Sequence, residues 1–135
     1  MPLVTSVKEI ANAKIFSIEE GESVKSAARS MFEHDASSLM VTSNGKPVGI
    51  VTERDILRRV TVKGINPAKT PVKAIMSGPL ITIKSDASLA DATILMHLKK
   101  VRHLFVVDGG KVVGIFTDRD LLLQVFELFT TLGQL

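Results

Sequence analysis

The 135-residue chain contains no cysteine, no tryptophan and no tyrosine. Without cysteine there is no disulfide, no thiolate metal site, no iron–sulfur cluster and no cysteine nucleophile. The aromatic content, 4%, is phenylalanine alone, which leaves little for a base-stacking surface on single-stranded nucleic acid. Charge of one sign is also scarce: 17 basic against 14 acidic residues give +3, too little for a nucleic-acid footprint by itself. No apolar run approaches the ~18 residues that a membrane span needs. The opening Met1-Pro2-Leu3-Val4-Thr5 lacks the charged-then-apolar pattern of a signal peptide. A cytoplasmic protein without membrane association is expected. What is present is an ordinary globular composition, 45% hydrophobic and 23% charged.

The chain repeats itself. A shift of 65 positions lays residues 5–60 on 70–125 without a gap, and 20 of the 56 positions are then identical. Val7-Lys8-Glu9-Ile10 falls on Val72-Lys73-Ala74-Ile75, and Ser23, Ala27 and Met31 fall on Ser88, Ala92 and Met96. Gly49-Ile50-Val51-Thr52-Glu53-Arg54-Asp55 falls on Gly114-Ile115-Phe116-Thr117-Asp118-Arg119-Asp120. The expected division is a first repeat over 1–62, a linker over 63–69 with Gly64 and Pro67 as breakers, a second repeat over 70–125 and a helical tail over 126–135.

Both copies read alike. Residues 14–18 and 79–83 are short extended segments. Ser23 and Ser88 are N-cap candidates ahead of helical apolar patterns: Val24, Ala27, Ala28, Met31 and Phe32 in one copy, Leu89, Ala92, Thr93 and Met96 in the other. Buried strands follow at Leu39–Val41 and Leu104–Val107, then Asn44-Gly45 and Gly109-Gly110, which tolerate the positive φ of a tight hairpin. Gly49 and Gly114 lie inside the next strands, where glycine marks close backbone approach. Thr52 and Thr117 open a last helix. The predicted fold is α+β: two pseudo-symmetric β-α-β-β-α repeats packed through their small sheets.

Thr52-x-x-Asp55 and Thr117-x-x-Asp120 carry the chemistry. From spacing alone the stronger reading is a helix cap, a threonine with an acid three residues later. The second reading is a ligand site, since a carboxylate accepts hydrogen bonds from both hydroxyls of a ribose. The histidines His34, His97 and His103 lack ligand spacing for a metal. No phosphate-binding loop, nucleophile elbow or zinc-protease pair is present.

Val7-Lys8-x-Ile10, Asn44-Gly45-x-x-Val48-Gly49-Ile50 and Gly49-Ile50-x-Thr52-x-Arg54-Asp55, with their counterparts in the second copy, resemble a tandem pair of cystathionine-β-synthase (CBS) domains, a Bateman module. The resemblance covers about residues 5–125. It implies a non-catalytic regulatory module with no cofactor, binding AMP, ADP, ATP or S-adenosylmethionine in clefts between the repeats and signalling to an effector protein. It places the ribose on Asp55 and Asp120 with Thr52 and Thr117 as polar companions. It puts the base near Ser17-Ile18 and Thr82-Ile83, residues that by themselves read as plain core. Arg102 and His103, an exposed loop pair when seen alone, become phosphate contacts, mainly for the nucleotide whose ribose Asp55 holds. Ser37-Ser38 stands at their place in the first copy. Arg54 and Arg119 read equally as phosphate contacts or as solvated helix-start residues.

Beyond Asp120 the copies diverge. Arg58 and Arg59 give way to Leu123 and Gln124, and Leu122, Val125, Phe126 and Phe129 form a stripe at helical spacing. Its expected cover is the protein's own core or a second copy, and the resemblance favours a homodimer through helices and tail. No effector domain is expected in the chain. Two other functions stand: a nucleic-acid-binding accessory protein, motivated by the +3 charge, and an interaction domain of an enzyme subunit.

Overall fold

Each copy builds the same elements for the same local reasons. The architecture is that of a computed structural model describing residues 6–133; the Met1–Thr5 opening and the end of the 126–135 tail lie outside the described residues. In the first copy they are β1 (Ser17–Glu19), α1 (Val24–His34), β2 (Ser38–Ser43), β3 (Lys46–Thr52) and α2 (Glu53–Ile56), which continues as a π-helical turn over Leu57–Thr61. In the second they are β4 (Thr82–Lys84), α3 (Leu89–Lys99), β5 (His103–Asp108), β6 (Lys111–Thr117) and α4 (Asp118–Gly133). The fold is α+β with two β-α-β-β-α repeats, as expected. The first strands start later than 14–18 and 79–83, because pairing opens only where Phe16 and Ile81 accept the amides of Met40 and Phe105, both at 2.9 Å.

Capping sets both long helices. The Ser23 hydroxyl accepts the Ser26 amide at 3.1 Å, and Ser88 accepts that of Asp91 at 3.0 Å. The Asp91 carboxylate returns a bond to the Ser88 amide, completing a capping box. Asp35 and Lys100, with φ of 51° and 55°, end the helices in left-handed caps. Helix α1 buries Val24, Ala27 and Met31, whereas Phe32 is 87% exposed and Ala28 also faces outward. A sheet only three strands wide takes one narrow stripe of the helix, and Phe32 lies about 100° around from Met31.

The two sheets have the orders β1-β2-β3 and β4-β5-β6, with a parallel first pair and an antiparallel hairpin. Asn44 and Gly45, at φ 52° and 78°, supply the double positive φ of the hairpin turn. In the first sheet Leu39, Val41 and Val51 face α1 and the core. In the second, Leu104, Val106 and Phe116 pack with Ile83, Ala92 and Met96.

The compact units are offset from the sequence copies. Residues 15–80 form one unit; the described residues up to Lys14 form the other with those from Ile81 onward. The Val-Lys-x-Ile segment that opens each sequence copy therefore closes the other core: Val72 and Ile75 in the first, Val7 in the second. We call these segments straps. Each ends on the free edge of its sheet. Ile50 and Ser77 exchange backbone hydrogen bonds at 2.8 Å, and Ile115 and Asn12 do so at 2.9 Å. This approach explains the strand glycines. A Cβ on Gly49 would stand 2.6 Å from the Ser77 carbonyl oxygen, and one on Gly114 3.1 Å from that of Asn12.

Helix α4 runs unbroken through residue 126, from the second repeat into the tail. Its stripe is not covered by the chain's own core: Leu122, Phe126 and Phe129 are 66%, 67% and 68% exposed.

Gly49→Ala is expected to destabilise the protein by about 1–3 kcal/mol, because backbone must move. Gly114→Ala is expected to cost less, because its neighbour needs to give only slightly. Urea denaturation of both variants checks the order.

Candidate ligand-binding site

The site in residues 15–80 starts where β3 becomes α2. Thr52 accepts the Asp55 amide on its hydroxyl at 3.1 Å, and Asp55 Oδ2 accepts the Thr52 amide at 3.0 Å. The capping expected from spacing is thus present as a full capping box. Asp55 is nonetheless 9% exposed, deeper than a surface cap requires. Its second oxygen, Oδ1, accepts the Ser77 hydroxyl at 3.3 Å, and Arg59 Nε lies 3.9 Å away. Arg59 also donates through Nη1 to the carbonyls of Ile75 and Met76 at 3.0 and 3.2 Å.

Strand register determines which expected residues meet. Ser17 pairs with Met40, Met40 with Ile50, and Ile50 with Ser77, forming one row across the sheet. Residues paired in register share a face, so Ser17, Met40, Ile50 and, two residues on, Thr52 look the same way. Ile18 looks the other way, into the core. The Ser37 carbonyl accepts the Glu53 amide at 3.0 Å, which sets Ser37 beside the start of α2.

The other unit repeats the plan with different groups. Asp120 Oδ2 accepts the Thr117 amide at 2.8 Å and the Thr117 hydroxyl at 3.2 Å. The cross-sheet row is Thr82, Phe105, Ile115 and Asn12, and Ile83 is core. His103 is the first residue of β5, not a loop residue before it, and pairs with Thr117. Arg102 Nε stands 3.8 Å from Asp118 Oδ2, and its carbonyl accepts the Asp118 amide at 3.1 Å. Arg54 and Arg119 are exposed second residues of α2 and α4. His34 stacks on Phe16 at 4.2 Å between ring centroids, and no group of metal-ligating residues occurs among the described residues.

Two residues at the Asp55 carboxylate were not foreseen from the sequence: Ser77 and Arg59. The sequence held a local signal for Arg59 alone. Arg59 sits four residues after Asp55, one helical turn on, whereas Ser77 reaches Asp55 from the strap, 22 residues away.

Beside Ser17, Glu19 fastens β1 to the hairpin. Its carboxylate accepts the Gly45 amide at 3.0 Å, the Thr42 hydroxyl at 2.9 Å and the Asn44 amide at 3.2 Å. These bonds, that of Gly45 foremost, hold the Glu19 pKa below the ordinary glutamate value; burial opposes them.

The CBS domain family model matches residues 7–62 and again 72–127. The chain belongs to the CBS-domain family. An uncharacterized protein of Methanocaldococcus jannaschii is 34% identical over 116 residues, 84% of this chain and 62% of that protein. The chain thus spans about three-fifths of that relative's length. Among solved structures, a putative signal-transduction protein with CBS domains from Burkholderia ambifaria has a TM-score of 0.86 at 30% identity, covering 90% of this chain and 93% of the other. A hexameric CBS-CP12 protein from bloom-forming cyanobacteria has a TM-score of 0.81 at 27% identity, covering 88% of this chain and 70% of the other. The two CBS domains contain both Thr-x-x-Asp motifs. Ser77 lies in the second matched segment although it completes the unit of the first.

The Glu19 clamp belongs to the first CBS domain alone, since Lys84 stands at its place in the second. A folded pKa below the unfolded one adds stability above the unfolded value, and that stability is lost as pH falls through the folded value. The advantage of wild type over Glu19→Gln should be full at pH 7 and shrink as pH drops below the ordinary glutamate range of about 4.3. Denaturant midpoints of both proteins across pH 3–7 check this; a constant difference contradicts it.

Proposed function

We propose that this CBS pair is a non-catalytic, cytoplasmic sensor module that binds an adenosine-containing ligand, AMP, ADP, ATP or S-adenosylmethionine, and signals its occupancy to an effector protein. The observation that carries the reading is the Thr-x-x-Asp carboxylate at the end of β3 and again at the end of β6. At Asp120 both bonds from Thr117 fall on Oδ2, so Oδ1 serves a ribose hydroxyl while the cap persists. Charge-assisted bonds of this kind contribute about 1.5–3 kcal/mol. The row Ser17–Met40–Ile50 and the row Thr82–Phe105–Ile115 offer strand edges and apolar surface for the base.

Arg102 and His103 supply phosphate recognition, a role without equivalent at Ser37-Ser38. A guanidinium binds phosphate through two parallel bonds, which a serine hydroxyl cannot reproduce. The two sites are therefore unequal toward phosphate. The similarity to the Burkholderia signal-transduction protein supports the sensor role. Exposed Leu122, Phe126 and Phe129 support a homodimer through α4, and the cyanobacterial neighbour is itself an oligomer.

A thermal-shift panel of AMP, ADP, ATP, S-adenosylmethionine and NAD tests this. A ligand at 100 times its dissociation constant stabilises by about 2.7 kcal/mol. Asp120→Ala should weaken binding at its site by about 1.5–3 kcal/mol, and Arg102→Ala should weaken AMP more than adenosine. No shift with any adenosine compound, or salt-dependent binding of RNA alone, contradicts the proposal.

A further inference from the structure

The two acids are not equally available. Asp55 Oδ1 already holds the Ser77 hydroxyl, and Arg59 stands beside the same oxygen while donating to the carbonyls of Ile75 and Met76. One guanidinium thus ties the helix that carries Asp55 to the strap that carries Ser77. The second unit has Gln124 at the place of Arg59 and Asn12 at that of Ser77. There the Asn12 carboxamide oxygen accepts the Lys14 amide at 2.9 Å, within its own strap.

A second feature is confined to the same unit. After Asp55 the helix widens into the π-helical turn Leu57–Thr61, closed by the Val62 amide on the Leu57 carbonyl at 3.0 Å. Helix α4 continues as a regular α-helix across the matching positions. Single π-helical turns occur often at functional sites, and this one contains Arg59.

We propose that Arg59 is a positioning residue that holds Ser77 on Asp55 as a built-in occupant of the ribose-binding oxygen, so that a ligand diol must displace Ser77 there and meets no such competitor among the described residues at Asp120. The inference rests on the ribose role proposed above. Its ligand-free half, that Arg59 fastens the strap, does not.

Two measurements separate these parts. Hydrogen exchange without ligand reads the amides of Ile50 and Ser77, which bond to each other's carbonyls across the strap, with Ile115 and Asn12 as internal reference. Arg59→Gln should speed exchange at Ile50 and Ser77 at least about tenfold and leave the reference pair unchanged. Arg59→Lys, which lacks the fork, should fall between. Unchanged exchange at Ile50 and Ser77 overturns the fastening role. Adenosine titration in the Asp120→Ala background then reads the Asp55 site alone. Adding Ser77→Ala should tighten adenosine binding about three- to tenfold; equal or weaker binding overturns the competition. If wild type itself binds no adenosine, the ribose reading has failed and the competition with it, and exchange alone decides the fastening role of Arg59.

Discussion

The backbone pairing of each strap with the edge of its sheet is the contact on which the rest depends. β3 and β6 are edge strands, and an unpaired edge is both a loss of hydrogen bonds and an invitation to wrong partners. The Ile50–Ser77 and Ile115–Asn12 bridges each pair one position of those edges through two hydrogen bonds. They also bring Val72 and Ile75 into one core and Val7 into the other. The approach is possible only because Gly49 and Gly114 carry no Cβ. A small residue inside a strand thus decides where a segment more than twenty positions away can lie.

Function is layered on this scaffold by sharing groups. Asp55 and Asp120 cap their helices, and a cap contributes about 1 kcal/mol. A carboxylate has two oxygens and about four lone pairs, so a cap that uses one oxygen leaves the other for chemistry. The copies then diverge at the second oxygen. Asp55 receives Ser77 with Arg59 alongside, whereas among the described residues the bonds at the Asp120 carboxylate come from Thr117 alone. The divergence extends to Ser37-Ser38 against Arg102-His103 and to Glu19 against Lys84. Identical folds thereby carry unlike sites.

Much of this was legible in the sequence, because its signals were local and came twice. Ser23 and Ser88 announced their caps, Asn44-Gly45 its turn, and Gly49 a close approach. The features that were not legible depend on chain segments meeting at long range. No local pattern states that Val7-Lys8-Glu9-Ile10 belongs to the unit of the later copy, since periodicity reports a buried face and not its partner. Ser77 on Asp55 follows from the same exchange and stayed hidden with it. Phe32 matched the helical pattern of α1 and yet stands in solvent, because a narrow sheet covers one stripe. The apolar stripe of α4 calls for cover by its spacing, and the exposure of Leu122, Phe126 and Phe129 shows that this cover is not the core of the described chain.

The most direct test of the central claim, that the Thr-x-x-Asp ends of β3 and β6 hold an adenosine ligand, is an amide NMR titration of the wild-type protein with AMP. Shifts concentrated at Thr52, Asp55 and Ser77, or at Thr117 and Asp120, saturating with AMP and absent with ribose-free phosphate, are expected. Shifts confined to the exposed face of α4, or no saturable shift at either motif, would contradict the account.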